Sequence, residues 1–269
     1  MKYLQADEIV EEANSWAKNA TKGLIKDVLQ REHINPNTKL LLGNALYFKG
    51  AWNPNEFNHK KTEKRDFYLL NGNKVSVPFM TSKNKYLYGS FNGFKFLKIP
   101  YQQGQDRRMF SMYFFLPDEG DGLQNLLTNV NSIPGFLHQD FELRNVKLLE
   151  FWIPKFKFSS HLIASRAMEE MGLTLPFMRD CMELTEMVHV PAGVPFYVTL
   201  IIQKAFIEVD EEGTEAAAVT LSVLYGCSPK GPVPKTENFV ADHPFMFMIR
   251  EETSGLVIFT GVVSNPQLK

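Results

Sequence analysis

Apolar residues recur at helical spacing from Asp7 to about Gln30, where Ile9, Ala13, Trp16, Ala20 and Leu24 are separated by steps of four, three, four and four. One amphipathic helix is predicted there. Lys39 to Trp52, KLLLGNALYFKGAW, is an apolar and aromatic run closed by Gly50 and Asn53-Pro54. It predicts a long strand with both faces covered. Asn71-Gly72 lies between apolar flanks in Phe67 to Met80, and Asn92-Gly93 does so in Tyr86 to Tyr101. Asn-Gly is the strongest short hairpin signal, so two β-hairpins follow in series.

Met109 to Leu116 reads as a strand stopped by Pro117-Asp118-Glu119-Gly120, and Leu123 to Leu137 as a helix interrupted by Pro134. Val146 to Phe158 is extended again. Ser160 to Gly172 carries Leu162, Ile163, Ala167, Met168 and Met171 at helical spacing, with Gly172 placed to stop a second helix. Tyr197 to Val209, Phe239 to Arg250 and Gly255 to Val263 are predicted strands. Strands dominate without regular alternation with helices, so the expected class is α+β with largely antiparallel sheets. A doubly wound nucleotide-binding fold is not expected.

Residues 210 to 238 follow neither pattern, and a stretch of that length in a compact domain is usually functional or disordered. Glu211 to Thr220 is small and polar, whereas Gly226-Cys227-Ser228-Pro229-Lys230-Gly231-Pro232-Val233-Pro234 is rich in turn formers and poor in backbone donors. Alanine content makes 214 to 220 a candidate surface helical turn. In extended form Thr214, Ala216, Ala218 and Thr220 share one face small enough to slide between two strands. Composition leaves both readings open.

Charge removes several function classes. With 29 Lys and Arg against 30 Asp and Glu, nothing suggests a nucleic-acid footprint or a polybasic membrane anchor. The apolar runs are far short of the ~20 residues of a membrane-spanning helix, and no secretory signal precedes Asp7. Cys181 and Cys227 make neither a disulfide framework nor a zinc site, and no metal or cofactor is expected. The compartment stays open. Six histidines, at 33, 59, 138, 161, 189 and 243, form no HExxH, and no serine stands in GxSxG. His243, beside Pro244, reads as structural, and Cys227 has only Lys230 nearby to depress its pKa. The chain is not expected to be an enzyme.

Several ordered motifs together resemble the serpin family, in its plant-type form. They are Glu212-Gly213-Thr214-Glu215-Ala216-Ala217-Ala218, Phe239 to Phe247 (FVADHPFMF), Asn44 to Trp52 (NALYFKGAW), Phe115-Leu116-Pro117-Asp118 and Ile153-Pro154-Lys155-Phe156. The resemblance spans essentially the whole chain. It implies one serpin-like α+β domain over residues 1–269, with a hinge and reactive-centre loop at 210–238. It also implies a bait mechanism: a target serine or cysteine protease cuts the loop, whose amino-terminal part then inserts into the main sheet and distorts the acyl-enzyme.

Counting from Gly213, the resemblance places the reactive bond between Cys227 and Ser228, within one or two residues towards Tyr225. Glu212, Gly213, Thr214, Glu215, Ala216, Ala217, Ala218, Val219 and Thr220 would form the hinge, with Val219 facing outward. Asn44 matches a polar residue in the shutter where strands part, and Trp52 an aromatic at the breach where insertion begins. On ordinary grounds an Asn in an apolar strand must bond to something, and a Trp is most often core. Gln203 stands where the family usually has a shutter histidine, which puts control of sheet opening in question.

The family's fold has several helices and strands ahead of the helix placed at Asp7. The resemblance therefore implies an amino-terminally truncated serpin whose Lys39 to Trp52 strand is an exposed edge, a place for polymerisation of an otherwise monomeric chain. Inhibition would then be impaired or absent. The alternative is a non-inhibitory serpin, a relic that acts only as a protease substrate or binding protein.

Overall fold

A computed structural model describes residues 5–105, 107–179, 184, 189–191, 193–213 and 237–268. In chain order the elements are α1 (Ala6–Ala20), β1 (Leu40–Tyr47), β2 (Glu63–Tyr68), β3 (Lys74–Met80), β4 (Lys85–Phe91), β5 (Phe94–Pro100) and β6 (Phe110–Pro117). There follow α2 (Leu123–Ser132), β7 (Arg144–Lys147), β8 (Glu150–Pro154), β9 (Phe156–Ile163), α3 (Ala164–Glu170), β10 (Val198–Val209), β11 (Asn238–Val240), β12 (Phe245–Glu251) and β13 (Val257–Val263). The strands form a sheet in the order β1-β10-β9, a second in the order β11-β8-β3-β2 and a third in the order β13-β12-β6-β5-β4-β7. The class is α+β. Strand β1 pairs with β10 and β11 with β8 in parallel, whereas β12–β13, β12–β6, β2–β3, β3–β8, β4–β5, β4–β7 and β5–β6 are antiparallel.

The chain divides into two compact units, Met1–Phe48 with Phe158–Ile207, and Lys49–Lys157 with Glu208–Lys269. In the first, Ala17, Ile25, Val28, Leu29 and Ile34 pack with Ile202 and Phe206 of β10, and α1 adds Ile9 and Ala13 at the margin. Asn14 fixes the segment after the helix, accepting from the Leu29 backbone N–H and donating to its carbonyl, both at 2.9 Å. The second unit is built on aromatic residues. Phe96, Phe115, Phe136 and Phe141 cluster with ring centroids 4.1 to 6.0 Å apart, and every residue of β12 is buried.

Both Asn-Gly hairpins form as the pattern predicts. Tyr68 pairs with Lys74 across the first and Phe91 with Phe94 across the second, and Gly72 and Gly93 take φ of +82° and +89°. Other boundaries differ from the pattern. Helix α1 stops at Ala20 rather than near Gln30, because Thr21 turns its hydroxyl onto the Ala17 carbonyl at 2.7 Å and Lys22 and Gly23 adopt positive φ. Trp16, assigned to its apolar stripe, is 49% exposed.

Ser160 to Ile163 are strand, not helix, since β9 pairs with β10; α3 begins only at Ala164. Phe239 to Arg250 is two strands in two sheets. Pro244 carries no N–H for a ladder, and His243 anchors the break by bonding the Asp242 carboxylate at 2.8 Å and the Pro117 carbonyl at 2.9 Å. Strand β1 ends at Tyr47 and is not covered on both faces: Leu42, Gly43 and Asn44 are exposed, and β1 stands at the edge of its sheet.

Candidate functional site

Strand β10 leads directly into the segment singled out in the sequence. Asp210 and Gly213 close a tight turn, with the Gly213 N–H bonded to the Asp210 carbonyl at 3.3 Å and the Glu212 N–H bonded to the Asp210 carboxylate at 3.0 Å. Gly213 also forms an antiparallel bridge with Ala51. Only glycine fits. Its φ is +84°, and a Cβ would fall on the Gly50 carbonyl oxygen, 2.6 Å from the Trp52 nitrogen and 2.7 Å from the Ala51 Cα.

Trp52 holds this turn from the other side. Its indole N–H donates to the Asp210 carbonyl at 2.7 Å, and its ring stacks on Tyr101 at 4.4 Å with planes 6° apart. Both aromatic residues are buried. Trp52 thus serves as core and as latch at once. Burial pushes the Tyr101 hydroxyl far above the ordinary tyrosine range, so it stays neutral.

Glu211 extends the anchorage. Its carboxylate accepts from the Lys155 ammonium at 2.6 Å and from the Thr62 hydroxyl. Burial by itself would raise its pKa, but these two hydrogen bonds prevail and hold it below the ordinary carboxylate value. The adjacent Asp210 moves the other way, because burial outweighs the Glu212 N–H and Lys155. The carboxylate with ammonium and hydroxyl partners stays charged more readily than its neighbour.

In the first unit, Asn44 lies opposite Gln203 in the parallel β1–β10 register. Strands β1 and β10 are therefore hydrogen-bonded directly to each other. Asn44 is exposed, so solvent meets the bonding requirement that an apolar setting would have imposed. Gln203 is half-buried.

Of the predicted hinge, Glu212 and Gly213 are placed in the turn above. Thr214, Glu215, Ala216, Ala217, Ala218, Val219, Thr220, Cys227 and Ser228 lie outside the described residues. Among the described residues no group of three or more His, Cys, Asp or Glu is placed to hold a metal ion, and no helix is long and apolar enough to cross a membrane.

A family model described as serpin (serine protease inhibitor) matches residues 2–266. The chain belongs to the serpin family. Serpin-ZXA of Oryza sativa subsp. japonica is 46% identical over 264 residues, covering 98% of this chain and 65% of the relative. Serpin-ZX of Arabidopsis thaliana is 48% identical over 265 residues, covering 97% and 66%. Among solved structures, Arabidopsis AtSerpin1 in its native stressed conformation matches with a TM-score of 0.84 at 45% identity, over 97% of this chain and 66% of that one. This serpin chain thus spans about two thirds of the length of the plant serpins it matches.

Reasoning from sequence missed Tyr101, Asp210, Lys155 and Thr62 as parts of the latch. Lys155 stood in a family motif, Ile153 to Phe156, without a role. Tyr101 carried no periodic or motif signal beyond following Pro100.

Proposed function

We propose that this serpin is a bait-loop inhibitor of serine proteases, cut between Cys227 and Ser228 and acting through insertion of Thr214 to Thr220 between β1 and β10. The observation that supports the reading most is the direct parallel pairing of β1 with β10, Asn44 opposite Gln203. Directly paired strands leave the gap closed, as the reading requires before cleavage, and AtSerpin1, similar over 97% of this chain, is in a native stressed conformation. Inserting the seven residues Thr214–Thr220 forms about fourteen ladder bonds and breaks about seven of the present β1–β10 ladder, so at ~1 kcal/mol net per hydrogen bond the gain is on the order of 7 kcal/mol. That is comparable to a domain's whole stability.

The turn at Gly213 sets where insertion starts. Opening it breaks the Trp52 to Asp210 bond and the Ala51 bridge, so the loop would remain outside until cleavage frees its far end. The reading assigns no catalytic residue to this chain; the protease supplies the nucleophile. A second reading, in which the loop is cut without trapping, is favoured by the exposure of Leu42, Gly43 and Asn44 on β1. A sheet open on that strand grips an inserted neighbour less firmly.

Incubation with a panel of serine and cysteine proteases, followed by denaturing gels and mass spectrometry, separates the two. A boiling-resistant complex with cleavage at Cys227–Ser228 is the expected result. A cut chain without complex would establish the substrate reading, and no cleavage between 221 and 236 would sink the bait assignment altogether.

A further inference from the structure

A cavity of about 820 Å³ in the second unit is lined by Lys60, Lys61, Lys83 and Lys147 around a floor that includes Leu148, Phe151 and Trp152. The four lysines are exposed, and among the described residues none of them lies within ion-pair distance of a carboxylate. Glu63 and Glu150 are the acidic lining residues, which leaves the wall at a formal +2 (four lysines against two glutamates) in a chain of net charge −1. Lys147 also sits directly opposite Lys85 in the β7–β4 ladder. Like charges facing each other across strands destabilise a sheet. The fold tolerates repulsion here that an anionic partner would relieve.

We propose that this cavity docks an acidic surface segment of the target protease. This assignment rests on the bait-loop reading above. Three observations favour a protein surface over a small anion. First, lysines are separate point charges and offer none of the forked geometry by which arginine grips a phosphate. Second, the rim carries an apolar anchor, Leu149, which is 68% exposed.

Third, the loop's far end returns to the fold beside the cavity. The Leu149 N–H bonds the Glu237 carbonyl at 2.9 Å, and β11 pairs with β8 from Asn238 opposite Glu150. Ser228 is nine residues from Glu237 (237 minus 228), so covalent length alone keeps the reactive bond within ~30 Å of the cavity rim. A protease seated on the bond covers that distance. Positive charge there would raise the encounter rate with acidic proteases and suppress it with basic ones.

The test is calorimetric titration of the full chain with a deca-glutamate peptide at 20 and 300 mM NaCl, repeated on Lys83→Glu/Lys147→Glu and on a control, Lys18→Glu/Lys26→Glu. Binding that weakens at least ~10-fold with salt, and is lost in the first variant but kept in the control, is expected. All four positions are on the surface, and thermal melts of each variant verify the fold. Absence of peptide binding, equal loss in both variants, or tight binding of inorganic triphosphate in place of the peptide would overturn the proposal. The protease gels fail independently: peptide binding with no loop cleavage refutes the inhibitor reading, while loop cleavage whose rate is the same in the first variant and the wild type refutes the docking site.

Discussion

The two strands β12 and β1 sit in very different surroundings. Strand β12 lies between β6 and β13, antiparallel to both, and all seven of its residues are buried. Strand β1 pairs with β10 on one side and, among the described residues, with no strand on the other, and its middle three residues face solvent. One sheet is a packed frame that leaves no path for a strand to enter. In the other, β1 joins its sheet through the parallel ladder with β10, and the exposed Leu42, Gly43 and Asn44 at its middle add no buried side chain to resist separation there. In a protein whose proposed action is insertion of a strand, the stability should be concentrated in the first region and deliberately scarce in the second.

The largest effect that tests this contrast comes from truncating one apolar side chain in each region. Phe115 is fully buried and touches Phe96, Phe136 and Phe141, so Phe115→Ala should cost ~3–5 kcal/mol through transfer and cavity terms. Leu42 is 43% exposed, and Leu42→Ala should cost less than ~1 kcal/mol. Urea melts give both numbers. Equal losses would mean that β1 carries as much of the fold as the frame does.

A middle-sized effect is expected at the turn that starts the loop. Gly213→Ala places a Cβ against Gly50 and Trp52 in a left-handed backbone, which costs ~1–3 kcal/mol in local strain. That cost should appear as faster proteolysis of the loop with little change in the frame. Trp52→Phe keeps the stacking on Tyr101 but removes the hydrogen bond to Asp210, with a loss of ~1 kcal/mol. If Gly213→Ala left loop proteolysis unchanged and lowered only global stability, the turn would belong to the frame instead.

How far these regions could be read in the sequence depends on the range of the interactions that shape them. The Asn71-Gly72 and Asn92-Gly93 hairpins were legible because their signal is local. The end of α1 was not, since the stripe continues through Leu24 while the Thr21 hydroxyl and the positive φ of Lys22 and Gly23 have already closed the helix. Ser160 to Ile163 has helical spacing, and the ladder with β10 overrides it. At the latch, Gly213 and Trp52 stood out through family motifs. Their partners did not, because Trp52 meets Asp210 across 158 positions and Lys155 meets Glu211 across 56, distances over which no periodicity operates.

The smallest effect separates two carboxylates of the second unit by pH. Glu56 is 9% exposed, and burial pushes its pKa above the ordinary 4.5 against the opposing hydrogen bond from the Tyr86 hydroxyl at 2.5 Å. A raised folded value means that ionised Glu56 disfavours the fold. Glu56→Gln should therefore stabilise at neutral pH, with an advantage that fades as pH falls towards 4.5. Glu211 has a lowered folded value, so it contributes stability above 4.5 that disappears as pH falls through that depressed value. Glu211→Gln should accordingly be destabilising at neutral pH, and its deficit should close only below 4.5. Urea midpoints of both variants and the wild type across pH 7 to 3 would show the two differences titrating on opposite sides of 4.5, and a shared window would mean that the latch carboxylate is no better partnered than the buried Glu56.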